Sequence, residues 1–114
     1  MKLQTETRDN TLVVTAMMDR LDAAIAIQFK DEMGLACNGG PARVVLDLSN
    51  VDFLDSSGLG AVVAVMKLLT PDQQLELAGM TPNVEKVFRL TRMDSIMTIH
   101  KDLIAAFDDI AQAS

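Results

Sequence analysis

One stretch organises this chain: VDFLDSSGLG at residues 51–60, a polar turn between two apolar segments. Before it, the segment RVVLDL at 43–48 is rich in β-branched residues and predicts a buried strand. After it, the segment 59–69 is apolar or glycine at all but one position and is too long for a single strand, so it predicts a helix. The polar residues 55–57 are therefore expected at the N-terminus of that helix.

This turn has two interpretations. The side chains of Asp55, Ser56 and Ser57 can cap the helix by accepting hydrogen bonds from the free amides of its first turn, which stabilises a helix by about 1 kcal/mol. The same helix start carries a partial positive charge and two flexible glycines, Gly58 and Gly60, so it would also tolerate a phosphate on a serine. A cap and a phosphate acceptor share this sequence pattern.

Composition and charge exclude several classes of protein. The chain has 114 residues and is 49% apolar, which predicts one folded domain over residues 1–114 that needs neither disulfides nor a structural metal. A net charge of -6, with ten basic residues spread along the chain, gives no cationic face for direct binding of nucleic acid. The lone Cys37 excludes an internal disulfide and a cysteine-based zinc cluster, and it fits a reducing compartment. No apolar run approaches the ~20 residues that span a bilayer, so we expect a cytoplasmic protein without membrane insertion.

Strand and helix patterns alternate along the whole chain. A polar turn at residues 8–10 predicts an opening hairpin, and Asp22 and Asp102 are placed to cap helices. The predicted elements are strands at 2–7 and 11–18, a helix at 23–37, the strand at 43–48, the helix at 59–69, a strand at 74–80, a helix from Pro82, a strand at 96–99 and a last helix after Asp102. The order ββαβαβαβα predicts an α/β fold with a mixed, mostly parallel sheet of about five strands and four helices.

The helices differ in how many apolar faces they carry. The central helix has two apolar stripes, of which one is expected to face the sheet and the other to be covered by a neighbouring helix or by a docked partner. The first stripe is Leu59, Val62, Val63 and Met66, and the second is Ala61, Ala64, Val65 and Leu68. In the later helices the residues expected to face inward are Val84, Val87, Phe88 and Leu90, followed by Leu103, Phe107 and Ile110.

Known catalytic motifs are not matched. The one histidine, His100, is expected on the surface or as a cap, and neither Ser56 nor Ser57 has the flanking glycines of a nucleophile elbow. Gly58-Leu59-Gly60 begins like a dinucleotide fingerprint, but Val63 stands where its third glycine belongs. We therefore predict no enzyme activity, no cofactor and no metal site.

Two carboxylates are candidates for a binding site. Asp22 and Asp55 each follow a predicted strand and stand at the mouth of a helix. In a mostly parallel sheet such positions gather along one edge, where α/β proteins usually place their sites. Either each is a simple N-cap, or both flank a modified serine and make an added phosphate repel a partner.

In this context the turn resembles the signature of a known family. The hexapeptide DSSGLG at 55–60, after VVLDL at 44–48, is similar to that of STAS-domain anti-sigma factor antagonists. Leu21-Asp22 followed by an alanine-rich helix resembles the first motif of that family, and Gly79 followed by TPNV at 81–84 resembles its strand-turn-helix near the end. The resemblance covers almost the whole chain and implies a single STAS-type domain.

The resemblance also implies a function, that of a binding protein in a partner-switching circuit. In the scheme of that family, the unphosphorylated protein binds a serine kinase that is also the anti-sigma factor, and so releases the sigma factor. The resemblance implies that the kinase phosphorylates the serine directly after the aspartate, here Ser56, and that a metal-dependent serine phosphatase reverses the reaction. The residues predicted to bind the partner are Asp22, Asp55, Ser57, Gly58, Leu59, Val62, Val63 and Met66. A second hypothesis is a STAS subunit of a membrane-associated transport or signalling assembly, which is not phosphorylated.

Two residues depart from the family pattern. Asp19 stands where a glycine usually begins the first motif, and Arg92 replaces the glycine expected after Thr91. Both positions are predicted to lie in turns, so the local backbone is the property in question. Asp19 also adds negative charge near the predicted site, which can alter the partner that is tolerated.

Overall fold

The computed structural model describes residues 3–69 and 71–113, with side chains described as far as Asp108. The strands are β1 (Leu3–Arg8), β2 (Thr11–Ala16), β3 (Arg20–Leu21), β4 (Arg43–Asp47), β5 (Phe53–Leu54), β6 (Gln74–Ala78) and β7 (Thr98–His100). The helices are α1 (Ala26–Cys37), α2 (Ser56–Leu69), α3 (Pro82–Leu90) and α4 (Leu103–Ala113). A short 3₁₀ turn, Met93–Ser95, follows α3.

The main sheet is mixed and mostly parallel, as predicted. Its five strands lie in the order β1-β2-β4-β6-β7. The β1 and β2 strands pair antiparallel through a two-residue turn, in which Asp9 and Asn10 both have positive φ. That backbone matches the right-handed twist of a hairpin and is one that Asp and Asn tolerate well. The remaining pairs are parallel, because a helix crosses over between successive strands.

Two layers of helix cover the sheet unequally. Alternate residues of β2, β4 and β6 face a large core that includes residues of α1, α2 and α3. The opposite face of the sheet forms a smaller core with α4 through Val45, Ala78 and Ala106. Fully buried large side chains include Phe29, Met33, Leu46, Leu77 and Phe88. Within residues 3–69 and 71–113, no helix combines the length and apolarity that crossing a membrane requires.

Two predictions about the helices are wrong, one on the start of α1 and one on the burial of Leu90. Asp22 is not the N-cap of α1, which starts at Ala26 after Ile25. Its Oδ1 instead accepts from the amide of Ala24 at 3.1 Å, so residues 22–25 form a turn before the helix. Leu90, expected to face inward, is 71% exposed at the end of α3.

The buried stripe of α2 mixes members of both predicted stripes. Ala61, Val62 and Val65 are buried together because α2 packs against α1 and the sheet at once. A neighbouring helix therefore covers part of the second face. Leu68, at the far end of that face, stays 59% exposed.

A charged network between the sheet and α4 corrects the prediction for His100. This residue is buried, and its Nε2 lies 2.8 Å from Oε1 of Glu76. Arg43 donates to both oxygens of the same carboxylate, at 2.8 and 3.0 Å, and to the carbonyl of Ala106 in α4 at 2.8 Å. Burial alone would raise the pKa of Glu76, but the hydrogen bonds from Arg43 and His100 outweigh it and hold that pKa below its usual value. The network thus joins three strands to the last helix.

Arg92 has a left-handed backbone, with φ of 61°. A side chain in this conformation costs roughly 1 kcal/mol, because its Cβ crowds the following carbonyl. We expect Arg92→Gly to raise the free energy of unfolding by about 0.5 kcal/mol, measured by urea denaturation, since glycine loses part of the gain to its flexible unfolded state. The matched control, Arg89→Gly inside α3, should lower it by about 1 kcal/mol. A destabilised Arg92→Gly protein would show that the strain is absent.

Asp19, the other departure from the family pattern, carries no such strain. Among the described residues, positive φ occurs at Asp9, Asn10, Arg92, Gly39 and Gly79. The turn at Asp19 therefore accepts an ordinary side chain.

Candidate functional site

The turn at 51–60 is joined to the loop after β2 by a small parallel ribbon. Strands β3 and β5 pair Arg20 with Phe53 and Leu21 with Leu54. The carbonyl of Asp19 accepts from the amides of Asp52 and Phe53 at 2.8 and 3.3 Å. Neither two-residue strand is long enough to show a periodic pattern, so these strands could not be predicted from the sequence. The two loops form one surface, which we call the platform: residues 17–25 and 51–60.

Asp55 connects the two loops of the platform through hydrogen bonds. Its Oδ1 accepts from the amide of Gly58 at 2.9 Å, which makes it the N-cap of α2, as predicted. Its Oδ2 accepts from the amide of Ala23 at 3.2 Å, across the ribbon. One carboxylate therefore starts α2 and also holds the turn that precedes α1.

Gly58 allows α2 to approach the ribbon closely. A Cβ built on Gly58 would lie 2.0 Å from the carbonyl oxygen of Leu21. Carbon and oxygen cannot approach so closely, and the atom in contact is backbone rather than a flexible side chain. The predicted role of this glycine, flexibility, is therefore replaced by a steric one: α2 and β3 touch because no side chain separates them.

Ser56 and Ser57 occupy the first two positions of α2, and both are exposed. Amides of a first helical turn have no partner inside the helix and carry partial positive charge. An anion on Ser56 would sit at this positive end. The carboxylate of the preceding Asp55 would repel the same anion.

Asp22 and Asp55 lie side by side, as expected from their positions after two strands. They accept from the consecutive amides of Ala24 and Ala23. Asp22 also accepts from Nε of Arg20 at 3.3 Å.

Arg20 and Phe53 belong to the platform but were missed in the sequence. The guanidinium carbon of Arg20 lies 4.3 Å from the centroid of the exposed Phe53 ring. Only the strand register brings these two side chains together, and no local pattern reports a register between loops 33 residues apart.

The remaining residues that were predicted to contact a partner differ in how deeply they are buried. Leu59, Val63 and Met66 are partly buried and pack against the core. Val62 is fully buried and Gly58 is buried, so neither presents a side chain at the surface.

Other reactive groups lie apart from the platform. Cys37 is buried, and burial raises the pKa of its thiol, which disfavours the reactive thiolate. His100 belongs to the network beneath α4. Over the described ranges, no three His, Cys, Asp or Glu side chains are grouped in a way that would hold a metal ion.

Comparison with protein families identifies the family of this chain. The family model of the STAS domain matches residues 2–106. The chain belongs to the STAS domain family. This STAS domain is 33% identical over 107 residues to BtrV of Bordetella bronchiseptica, a candidate anti-sigma factor antagonist, with 93% of this chain and 91% of that protein covered.

Solved structures share the fold of this STAS domain. An anti-sigma factor antagonist from Mycobacterium paratuberculosis is 25% identical and superposes with a TM-score of 0.81, covering 97% of this chain and 91% of that one. The Bacillus cell fate determinant SpoIIAA in its phosphorylated form is 22% identical, with a TM-score of 0.68 and coverage of 95% and 98%. This second likeness concerns the fold alone. The STAS domain thus belongs among the anti-sigma factor antagonists by homology.

Proposed function

We propose that this STAS domain is an anti-sigma factor antagonist that binds an anti-sigma factor with serine kinase activity and is switched off by phosphorylation of Ser56. The observation that carries the proposal is an exposed serine at the first position of α2, directly after Asp55. The Asp55 carboxylate is hydrogen-bonded to the turn that also carries Asp22. The relationship to BtrV supports the antagonist role. The phosphorylated form of SpoIIAA shows that a protein of this fold can carry the modification.

The proposed mechanism is a change of charge on a fixed surface. The two loops of the platform contain four aspartates and one arginine, so a complementary partner surface is mostly basic or polar. Phosphate at Ser56 adds about -1.5 to -2 charges and a bulky group in the middle of this surface. Because hydrogen bonds across the ribbon hold the platform, it cannot reshape itself around that group. The contact with the partner is lost instead.

The proposed docking residues are chosen by their exposure. Asp22, Asp55, Ser57, Leu59, Val63 and Met66 are the predicted contacts that keep accessible surface. We expect no catalytic role for the domain, no cofactor and no direct binding of nucleic acid. A serine phosphatase restores the binding form, and the circuit operates in the cytoplasm.

Ser56→Asp tests the switch in vitro. We expect it to weaken binding to the kinase partner by about tenfold or more. The reason is that the kinase accommodates the neutral hydroxyl of Ser56, and the variant places a negative carboxylate there. Isothermal titration calorimetry with the purified kinase measures this. Ser56→Ala should bind like wild type, and Ser57→Ala should still be phosphorylated by the kinase with ATP whereas Ser56→Ala should not. Equal affinities for wild type and Ser56→Asp would contradict the switch.

Intact-mass spectrometry with site mapping tests it in cells. Phosphate on Ser56 with an occupancy that differs between growing and stationary cultures is the expected result. A chain that is unmodified in every condition would favour a constitutive STAS subunit of a larger assembly, and the polar turn would then be a helix cap.

A further inference from the structure

Arg20 is the one basic residue in the two loops of the platform. It stands among four carboxylates of those loops. They are Asp19, Asp22, Asp52 and Asp55. A single cation in an acidic surface favours an acidic group on the partner, whereas the surrounding aspartates favour basic or polar groups.

The guanidinium of Arg20 is held in place before any partner arrives. Phe53 covers one of its faces at 4.3 Å, and Asp22 accepts from its Nε at 3.3 Å. The side chain of Arg20 nevertheless remains 56% exposed. The described hydrogen bonds use Nε, which leaves the two terminal nitrogens to act as a pair of donors. A fork of this kind matches a carboxylate in a bidentate geometry.

A concave surface adjoins this arginine. The cleft has a volume of about 410 Å³, and its lining includes Arg20, Asp22, Met18 and Ile25. Interface hot spots are enriched in arginine and aromatic side chains. Arg20, which lines the cleft, and Phe53, which covers the guanidinium of Arg20, supply one of each.

We propose that Arg20 is the specificity-determining contact of the platform and binds a carboxylate of the anti-sigma partner. The inference rests on the function proposed above and adds the chemistry of the partner's surface: one acidic side chain, surrounded by basic or polar groups that face the aspartates. Such a pattern fixes the orientation of docking, because any shift sets the partner's acid against an aspartate.

The first test compares two exposed arginines. Calorimetry with the purified kinase partner should show that Arg20→Met lowers affinity by about tenfold or more. Arg89→Met is the control, since Arg89 is 59% exposed in a pair with Glu85 on α3, and it should change affinity by less than about twofold. Thermal unfolding of both variants should match wild type. Phe53→Leu keeps an apolar side chain but removes the ring, and we expect a loss of about threefold to tenfold.

The second test locates the partner's acid. Arg20→Lys retains the charge, and a carbodiimide can join the introduced lysine to a carboxylate in contact with it. The expected product is a cross-linked peptide that contains position 20 and an Asp or Glu of the kinase. Affinity within twofold of wild type for Arg20→Met overturns the inference, while release by Ser56→Asp in the same series would leave the proposed function standing. A kinase that fails to bind the wild-type domain overturns both.

Discussion

Gly58→Ala is expected to lower the free energy of unfolding by about 3 kcal/mol or more, measured by urea denaturation. The added methyl would lie 2.0 Å from the carbonyl oxygen of Leu21, so either α2 or the β3–β5 ribbon must move. That movement would stretch the hydrogen bond from Ala23 to Asp55, which is already 3.2 Å long. Gly58 therefore has a structural role in the platform.

Gly60→Ala is the matched control for this prediction. It lies in the same helix two residues later, and a Cβ there meets nothing within 4 Å. Alanine is the better helix former, so we expect Gly60→Ala to raise the free energy of unfolding by up to about 1 kcal/mol. Equal stabilities for the two variants would show that α2 has room to shift away from the ribbon.

The same pair of variants separates the fold from the docking function. At a temperature where Gly58→Ala is still folded, we expect it to bind the kinase partner less well than Gly60→Ala, because its ribbon is displaced. A Gly58→Ala protein that is destabilised but binds normally would place the partner contact on α2 alone.

The main sheet and the start of α2 were predictable because their signals are local. A run of β-branched residues at 43–48 suits a strand buried on both faces, and the polar turn at 55–57 suits the beginning of an apolar helix. The family resemblance rested on the same stretch. These predictions needed no knowledge of contacts between distant residues.

The errors at Asp22 and His100 share a different cause, which is contact at long range. Asp22 has the sequence pattern of a helix cap, but Asp55 takes the amide of Ala23 and so delays the start of α1. His100 resembled a surface histidine because its partner, Glu76, comes from the neighbouring strand. Neither partner is visible in a window around the residue.

Arg43→Met is the second change expected to have a large effect, with a loss of about 3–5 kcal/mol in the free energy of unfolding. It would leave the Glu76 carboxylate, 10% exposed, with His100 as its described hydrogen-bond partner. It would also remove the donor to the carbonyl of Ala106, and the guanidinium that lies 5.4 Å from the Phe107 ring. The anchor of α4 on the sheet depends on these contacts.

The double variant Arg43→Met with Glu76→Met tests whether an uncompensated charge is the cause. Removing both charged groups leaves an apolar pair, so we expect the double variant to be more stable than Arg43→Met alone. If the two proteins are equally unstable, lost packing of the arginine stem explains the effect.

The pH dependence of stability gives the same network an independent test. The pKa of Glu76 is lower in the folded protein than in the unfolded chain, where glutamate titrates near 4.3. The network therefore contributes its full stability above about pH 5, and loses it as pH falls through the lowered value. In Arg43→Met the guanidinium no longer opposes the effect of burial, so the pKa of Glu76 should rise and this acid-induced loss should shrink or reverse. Urea denaturation from pH 7 to pH 3 measures how the free energy of unfolding changes with pH in wild type and in Arg43→Met. Parallel curves for the two proteins would contradict the assignment of Arg43 as the partner that lowers this pKa.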